Sequence, residues 1–182
     1  MSFTQLLVTS LTLASVISTK QSVSSRINFE CINSDKGYAT IAVSPSGKQT
    51  NTLIHWNFSI FADSFSSQQQ CQEVTKRLNL IVANHPNKMS DLLLTTDFIN
   101  GKEVICWVYD FKYTCKGDGS NLLVVLPSAQ DPKIVLRQLF DIPDNFLSVD
   151  IPLRSAPIYL KLGATIESQL AELDNVNSTS LI

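Results

Sequence analysis

Side chains able to do chemistry are few in this chain: two His and four Cys stand among 182 residues. His55 lies beside Trp56 in a stretch of alternating polarity. A half-buried, hydrogen-bonded imidazole is the ordinary outcome there, and a catalytic base paired with a carboxylate the rarer one. His85 closes a helical stretch, where an imidazolium complements the carbonyl end of the helix dipole. No G-x-S-x-G, H-E-x-x-H or phosphate-loop pattern occurs, so a serine hydrolase, a zincin or a nucleotide hydrolase would lack its mechanical parts. Asp118-Gly119-Ser120-Asn121 is oxygen-rich, but it lacks the spaced acidic ligands and terminal Glu of a calcium loop and reads as a glycine turn. The sequence therefore assigns no catalytic residue, no metal ligand and no cofactor.

The cysteines are more informative. Cys31, Cys71, Cys106 and Cys115 are even in number, form no C-x-x-C pair and lie far from either His, so the usual zinc spacings are absent. Four Cys allow three pairings. The favoured set joins Cys106 to Cys115, closing one short loop, and Cys31 to Cys71, tying a strand to a helix. Loop entropy gives these at most about 2.7 and 3.9 kcal/mol respectively. Four reduced thiols used as core filler would need a reducing compartment.

Aromatic side chains offer a binding chemistry instead. Trp107, Tyr109, Phe111 and Tyr113 alternate along one side of the segment that enters the Cys106–Cys115 loop. Exposed in a row, such rings would stack on sugars, making a glycan-binding module, or dock on a protein partner. Trp107 is expected in the core. Phe111 and Tyr113 fall in the loop and are the candidate partner-binding residues.

The compartment is legible at the N-terminus. The first nineteen residues carry no charged side chain, and Leu6 to Ile17 hold an apolar patch of signal-peptide length. Small residues follow, with cleavage expected after Ser18 or Ser24, so residues 1–24 read as a leader for export. A docked N-terminal helix is the alternative, which the interleaved Thr4, Thr9, Ser10, Thr12 and Ser15 disfavour. Hydrophobic residues make up 44% of the chain and charged ones 16%, with a net charge of −2 and a mean hydropathy of +0.09. That is enough apolar material for a core, and no basic footprint for nucleic acid. No run of about 18 apolar residues is free of polar interruption, so a spanning helix is not expected.

The elements that must position these residues follow from periodicity. Strands are predicted over 26–32, 38–44 and 51–58, with a turn at Ser44-Pro45-Ser46-Gly47. Ser67 as N-cap and Gln70 at N3 have capping-box spacing, opening a helix whose apolar stripe is Cys71, Val74, Leu78, Ile81 and Val82. Pro86 ends it. Strands over 91–99 and 102–109 flank Asn100-Gly101, a strong hairpin signal. The apolar run 121–126 predicts a central strand covered on both faces. A second helix starts from Asp131 as N-cap and Pro132 as N1. A loose stretch from Pro143 to Pro157, a short strand at 158–160, a short helix over 165–173 and a flexible tail over 174–182 complete the chain. The fold class is α+β: a single domain over 26–173 with a mainly antiparallel sheet, two principal helices and two disulfides.

In order and spacing, these pieces resemble the circadian oscillating protein family of cyanobacteria. The resemblance is carried by Phe29-Glu30-Cys31, by Ala42 to Gly47, by His55-Trp56 and by Cys71 to Leu78. Further along it rests on Leu94-Thr95-Thr96 leading to Asn100 through Cys106, on Cys115, on Leu122 to Pro127 and on Asp131 to Asp141. It implies an exported protein of the periplasm, envelope or thylakoid lumen, peripheral to a membrane and with no established catalytic residues. The function expected is therefore non-enzymatic binding of a protein or envelope component, with no nucleic acid and no cofactor involved.

Overall fold

The computed structural model describes residues 26–56, 66–126, 132–140 and 158–179. The leader, the proposed cap Asp131 and the stretch from Pro143 to Pro157 lie outside the described residues. Seven strands and three helices are described, in the order β1 (Asn28–Ser34), β2 (Gly37–Val43), β3 (Ile54–Trp56), α1 (Ser67–Asn84), β4 (Leu93–Ile99), β5 (Lys102–Val108), β6 (Leu122–Val125), α2 (Pro132–Phe140), β7 (Tyr159–Leu160) and α3 (Leu162–Thr179). The fold is α+β, but the strands form two antiparallel sheets: β1-β2-β3 and β6-β5-β4-β7.

In the first sheet β1 pairs with β2 from Asn28↔Val43 to Ser34↔Gly37. Phe29, Thr40, Ala42, Ile54 and Trp56 supply its buried side. Helix α1 crosses this sheet and also meets β6 of the second, so one core serves both sheets. The core holds a polar node: the Thr40 hydroxyl accepts from the Trp56 indole N–H at 2.9 Å and pairs with the Thr75 hydroxyl at 3.1 Å. A buried hydroxyl needs such partners, because stripping its water would otherwise cost about 1–3 kcal/mol.

Helix α1 begins one residue earlier than predicted. Ser66, not Ser67, is the N-cap: its hydroxyl accepts from the Gln69 N–H, and the Gln69 side chain accepts from the Ser66 N–H. Two serines followed by three glutamines satisfy the motif in either register. Burial decides between them, since Ser67 is turned into the protein and its side chain is not available to cap. At the other end His85 is the C-cap, donating its backbone N–H to the Ile81 carbonyl.

The β4–β5 hairpin turns at Asn100 and Gly101, both with positive φ (52° and 74°), as a type I′ turn requires. Strand β6 corrects the sequence reading: among the described residues it stands at the edge of its sheet, with Val125 exposed. Its apolar run arises because Leu123, Val124 and Leu126 are covered by the shared core. From α1, Arg77 donates to the Leu123 carbonyl at 2.7 Å. Helix α3 runs from Leu162 to Thr179, longer at both ends than the predicted 165–173. Asn, Asp, Ser and Thr after Leu173 have weak helix propensity, which hid the continuation. At its start, the backbone of Gly163 donates to the Leu92 carbonyl at 3.0 Å, and a β-carbon there would overlap the Met89 carbonyl. Only glycine lets α3 seat this closely.

Candidate partner-binding surface

Two disulfides frame the molecule. Cys31 on β1 is bonded to Cys71 in α1, with Cα atoms 5.7 Å apart, and Cys106 on β5 is bonded to Cys115, with Cα atoms 5.4 Å apart. Cys71 sits on the buried stripe of α1, aimed at the sheet that carries Cys31. Disulfides of this kind persist in oxidising, extracellular-type environments. Among the described residues no helix is long and apolar enough to cross a membrane.

The second disulfide folds the segment after β5 back on itself, and that segment carries the candidate residues. Its shape comes from polar contacts. The Asp110 carboxylate accepts from the Lys112 backbone N–H at 3.0 Å and meets the Lys112 ammonium at 2.9 Å, which holds its pKa below the usual carboxylate value. The Tyr113 N–H donates to the Asp110 carbonyl at 3.1 Å, closing a turn. Asn121 is buried and ties the loop together: its amide donates to the carbonyls of Trp107 and Thr114, and its oxygen accepts from the Lys116 N–H. Asp118 accepts from the Ser120 N–H at 2.9 Å, and Gly119 takes φ +71° in this turn. The Asp118–Asn121 segment is thus a glycine turn. Among the described residues no group of three or more His, Cys, Asp or Glu is placed to hold a metal ion.

The structure breaks the predicted row of four rings. Strand β5 stops at Val108, and the turn at Asp110 re-aims everything after it. Trp107 and Tyr109 form one group, tilted against each other with centroids 5.4 Å apart, and both pack on His85, at 5.7 and 5.1 Å. They are half-buried, and burial pushes the Tyr109 phenol up to about 12. Phe111 and Tyr113 form the second group and stand in solvent, 54% and 58% exposed. Phe111 meets the Tyr159 ring edge-on at 5.2 Å, and the Tyr159 hydroxyl donates to the Tyr113 carbonyl at 3.0 Å. Burial, then the charges of Asp110 and Asp97, raise the Tyr159 pKa. Lysines sit over the rings: Lys161 over Phe111 at 5.8 Å, Lys112 over Tyr113 at 5.6 Å and Lys88 over Tyr109 at 5.5 Å.

Sequence reasoning missed two members of this surface. Tyr159 comes from β7, far along the chain, and only the pairing Thr95↔Tyr159 brings it to the loop. Asn121 read as part of a turn, whereas its side chain replaces the missing backbone partners of the loop.

The histidines are placed as follows. His55 lies in β3 opposite Ala39, half-buried. His85 sits at the α1 C-terminus and also borders a cleft of about 340 Å³ lined by Arg77, Asn84, Trp107 and Ser120. Neither this cleft nor a larger groove of about 510 Å³ along α1 includes His55.

The surface thus consists of two exposed rings, fixed from below by a disulfide, a buried Asn and a distant Tyr, with ammonium groups beside them. Such a surface can bind an apolar or acidic patch.

No curated protein and no solved structure is significantly similar to the chain. A family model, circadian oscillating protein COP23, matches residues 28–162. That match runs from the first residue of β1 to the first of α3 and takes in both disulfides and the aromatic loop. The chain therefore belongs to the circadian oscillating protein COP23 family.

Proposed function

We propose that this protein is an exported, non-enzymatic binding domain that engages a protein of the cell envelope, peripheral to a membrane, through Phe111 and Tyr113. The observation that carries the reading is the exposure of these two large rings on a loop that is otherwise fastened at every turn. Aromatic anchors held rigid before binding lose little entropy on docking, which is how a few residues come to dominate an interface. Lys161, whose ammonium lies over Phe111, favours an acidic rim on the partner, while Lys112 is engaged with Asp110.

A direct attachment to lipid is less well supported. An anionic surface attracts clustered basic residues, each worth about 1 kcal/mol, and the chain has a net charge of −2. Its one adjacent basic pair is Lys76-Arg77, and Arg77 is engaged with Glu73 at 3.1 Å and with the Leu123 carbonyl. A sugar platform of four rings is not supported either, because Trp107 and Tyr109 are packed against His85.

The test is capture from the native membrane fraction by the oxidised protein and by a Phe111→Ala/Tyr113→Ala variant. The reading expects a defined partner retained by the wild-type protein and lost with the variant at equal fold stability. Equal retention by both would refute these residues as the contact.

A further inference from the structure

Among the described residues, no strand pairs with the outer side of β1, the end strand of the first sheet. On β2, Thr40 and Ala42 turn their backbone groups toward β3 and the Thr50 loop, as the bonds from Leu53 N–H to the Thr40 carbonyl and from Thr50 N–H to the Ala42 carbonyl show. The register then leaves Phe29, Cys31 and Asn33 of β1 as the residues whose N–H and C=O point away from the sheet. At Phe29 that outward pair is already taken. The Asn79 side chain accepts from the Phe29 N–H at 2.7 Å and donates to the Phe29 carbonyl at 2.9 Å, the two bonds a neighbouring strand would make. The outward groups of Cys31 and Asn33 have no hydrogen-bond partner among the described residues.

Helix α1 extends past this edge. Beyond its core stripe, Lys76, Asn79, Leu80 and Ala83 overhang the outer side of β1 and, with Cys31, line the groove of about 510 Å³. Leu80 is 55% exposed there. Lys76 is exposed and has no ion pair among the described residues.

The geometry points to strand addition at β1: the groove accepts an extended peptide segment of a partner protein, carrying an acidic side chain on the face turned to α1. The backbone of that segment pairs with the N–H and C=O of Cys31 and Asn33, becoming a fourth strand of the sheet. Alternate side chains enter the groove, an apolar one against Leu80 and a carboxylate against the Lys76 ammonium. Asn79 closes one end and fixes where pairing stops. An exposed edge of this kind is ordinarily hidden or charged, and here the blocking group covers one outward pair and leaves the next two open. This surface is separate from Phe111 and Tyr113, so it stands or falls independently of them.

The test uses the oxidised full chain and a capped seven-residue peptide of alternating valine and threonine with one central glutamate, at about 1 mM. Main-chain pairing predicts that amide exchange at Cys31 and Asn33 slows at least about tenfold with peptide present. The same peptide N-methylated at every backbone nitrogen, so that neither of its edges can donate, should leave both unchanged. Lys76→Glu should weaken binding about fivefold. Asn33→Pro removes only an outward N–H and is tolerated at an edge, so it should abolish slowing at Cys31 with the sheet intact. No slowing with the parent peptide, or slowing that survives N-methylation, overturns the proposal. So does protection of these amides before peptide is added: rising with protein concentration it would identify a second copy as the occupant, and independent of concentration a segment of the same chain.

Discussion

Replacing Cys31 and Cys71 with Ala should cost more stability than replacing Cys106 and Cys115, because the first bond closes the longer loop. The separations are 40 and 9 residues. Confining the unfolded chain by those lengths gives about 3.9 and 2.7 kcal/mol, a gap of about 1.2 kcal/mol. Packing differs little between the pairs, since Cys71 and Cys106 are both fully buried and their partners half-buried. Domain stabilities of about 5–15 kcal/mol make either loss easy to read. Urea unfolding of the two double variants would measure the gap directly, and thermal unfolding should separate them by about 2–5 °C. The slope against urea should rise in both variants, more in the first, because the released chain exposes more surface when it unfolds. An equal or larger loss from the Cys106 and Cys115 pair would refute the entropic ranking. The short loop would then stabilise through native packing of the aromatic surface.

Three further outcomes follow from the packing and the site. Thr40→Val should lose about 1–3 kcal/mol, because it removes the acceptor of the Trp56 indole N–H and the partner of the Thr75 hydroxyl; tryptophan-monitored urea unfolding measures it, and no loss would show the node to be dispensable. Gly163→Ala should lose about 1–3 kcal/mol as α3 is pushed off the Met89 carbonyl; an unchanged unfolding midpoint would mean that the corner gives way freely. In a phenolate titration, Tyr109 should ionise near 12. Its folded-state pKa is raised, so the stability linked to it is present below the ordinary phenol value of about 10 and is lost as pH rises toward 12. Ionisation of Tyr109 near 10 would contradict its burial.

Local signals carried most of the fold. Asn100-Gly101 specifies its turn because both positions need φ above zero, and Cys71 announces its direction because it shares a helical stripe with Val74 and Leu78. Where the reading failed, the deciding contact was distant. Ser66 and Ser67 are equivalent caps until burial chooses between them. The apolar run at 122–126 is the same for a central strand and for an edge covered by α1. Two sheets rather than one could not be read from strand count, since the split depends on which strands α1 separates. The aromatic row looked continuous because its rings alternate; the predicted strand end, at 109, falls within one residue of Val108, but nothing local showed that the turn at Asp110 parts the rings into two groups. Tyr159 became part of the surface only through its pairing with β4. Asn79 was legible as a polar residue on α1, but its role as a substitute strand neighbour depends on the register of β1.

The claim that two exposed rings form a docking site is tested most directly by placing a photo-crosslinking side chain at position 113 of the protein in living cells. A control carries the same group at exposed Lys36, in the turn between β1 and β2. The account predicts one discrete adduct from position 113, lost when Phe111 is replaced by Ala, and none from position 36. Equal labelling from both positions, or an adduct at 113 indifferent to Phe111, would contradict it.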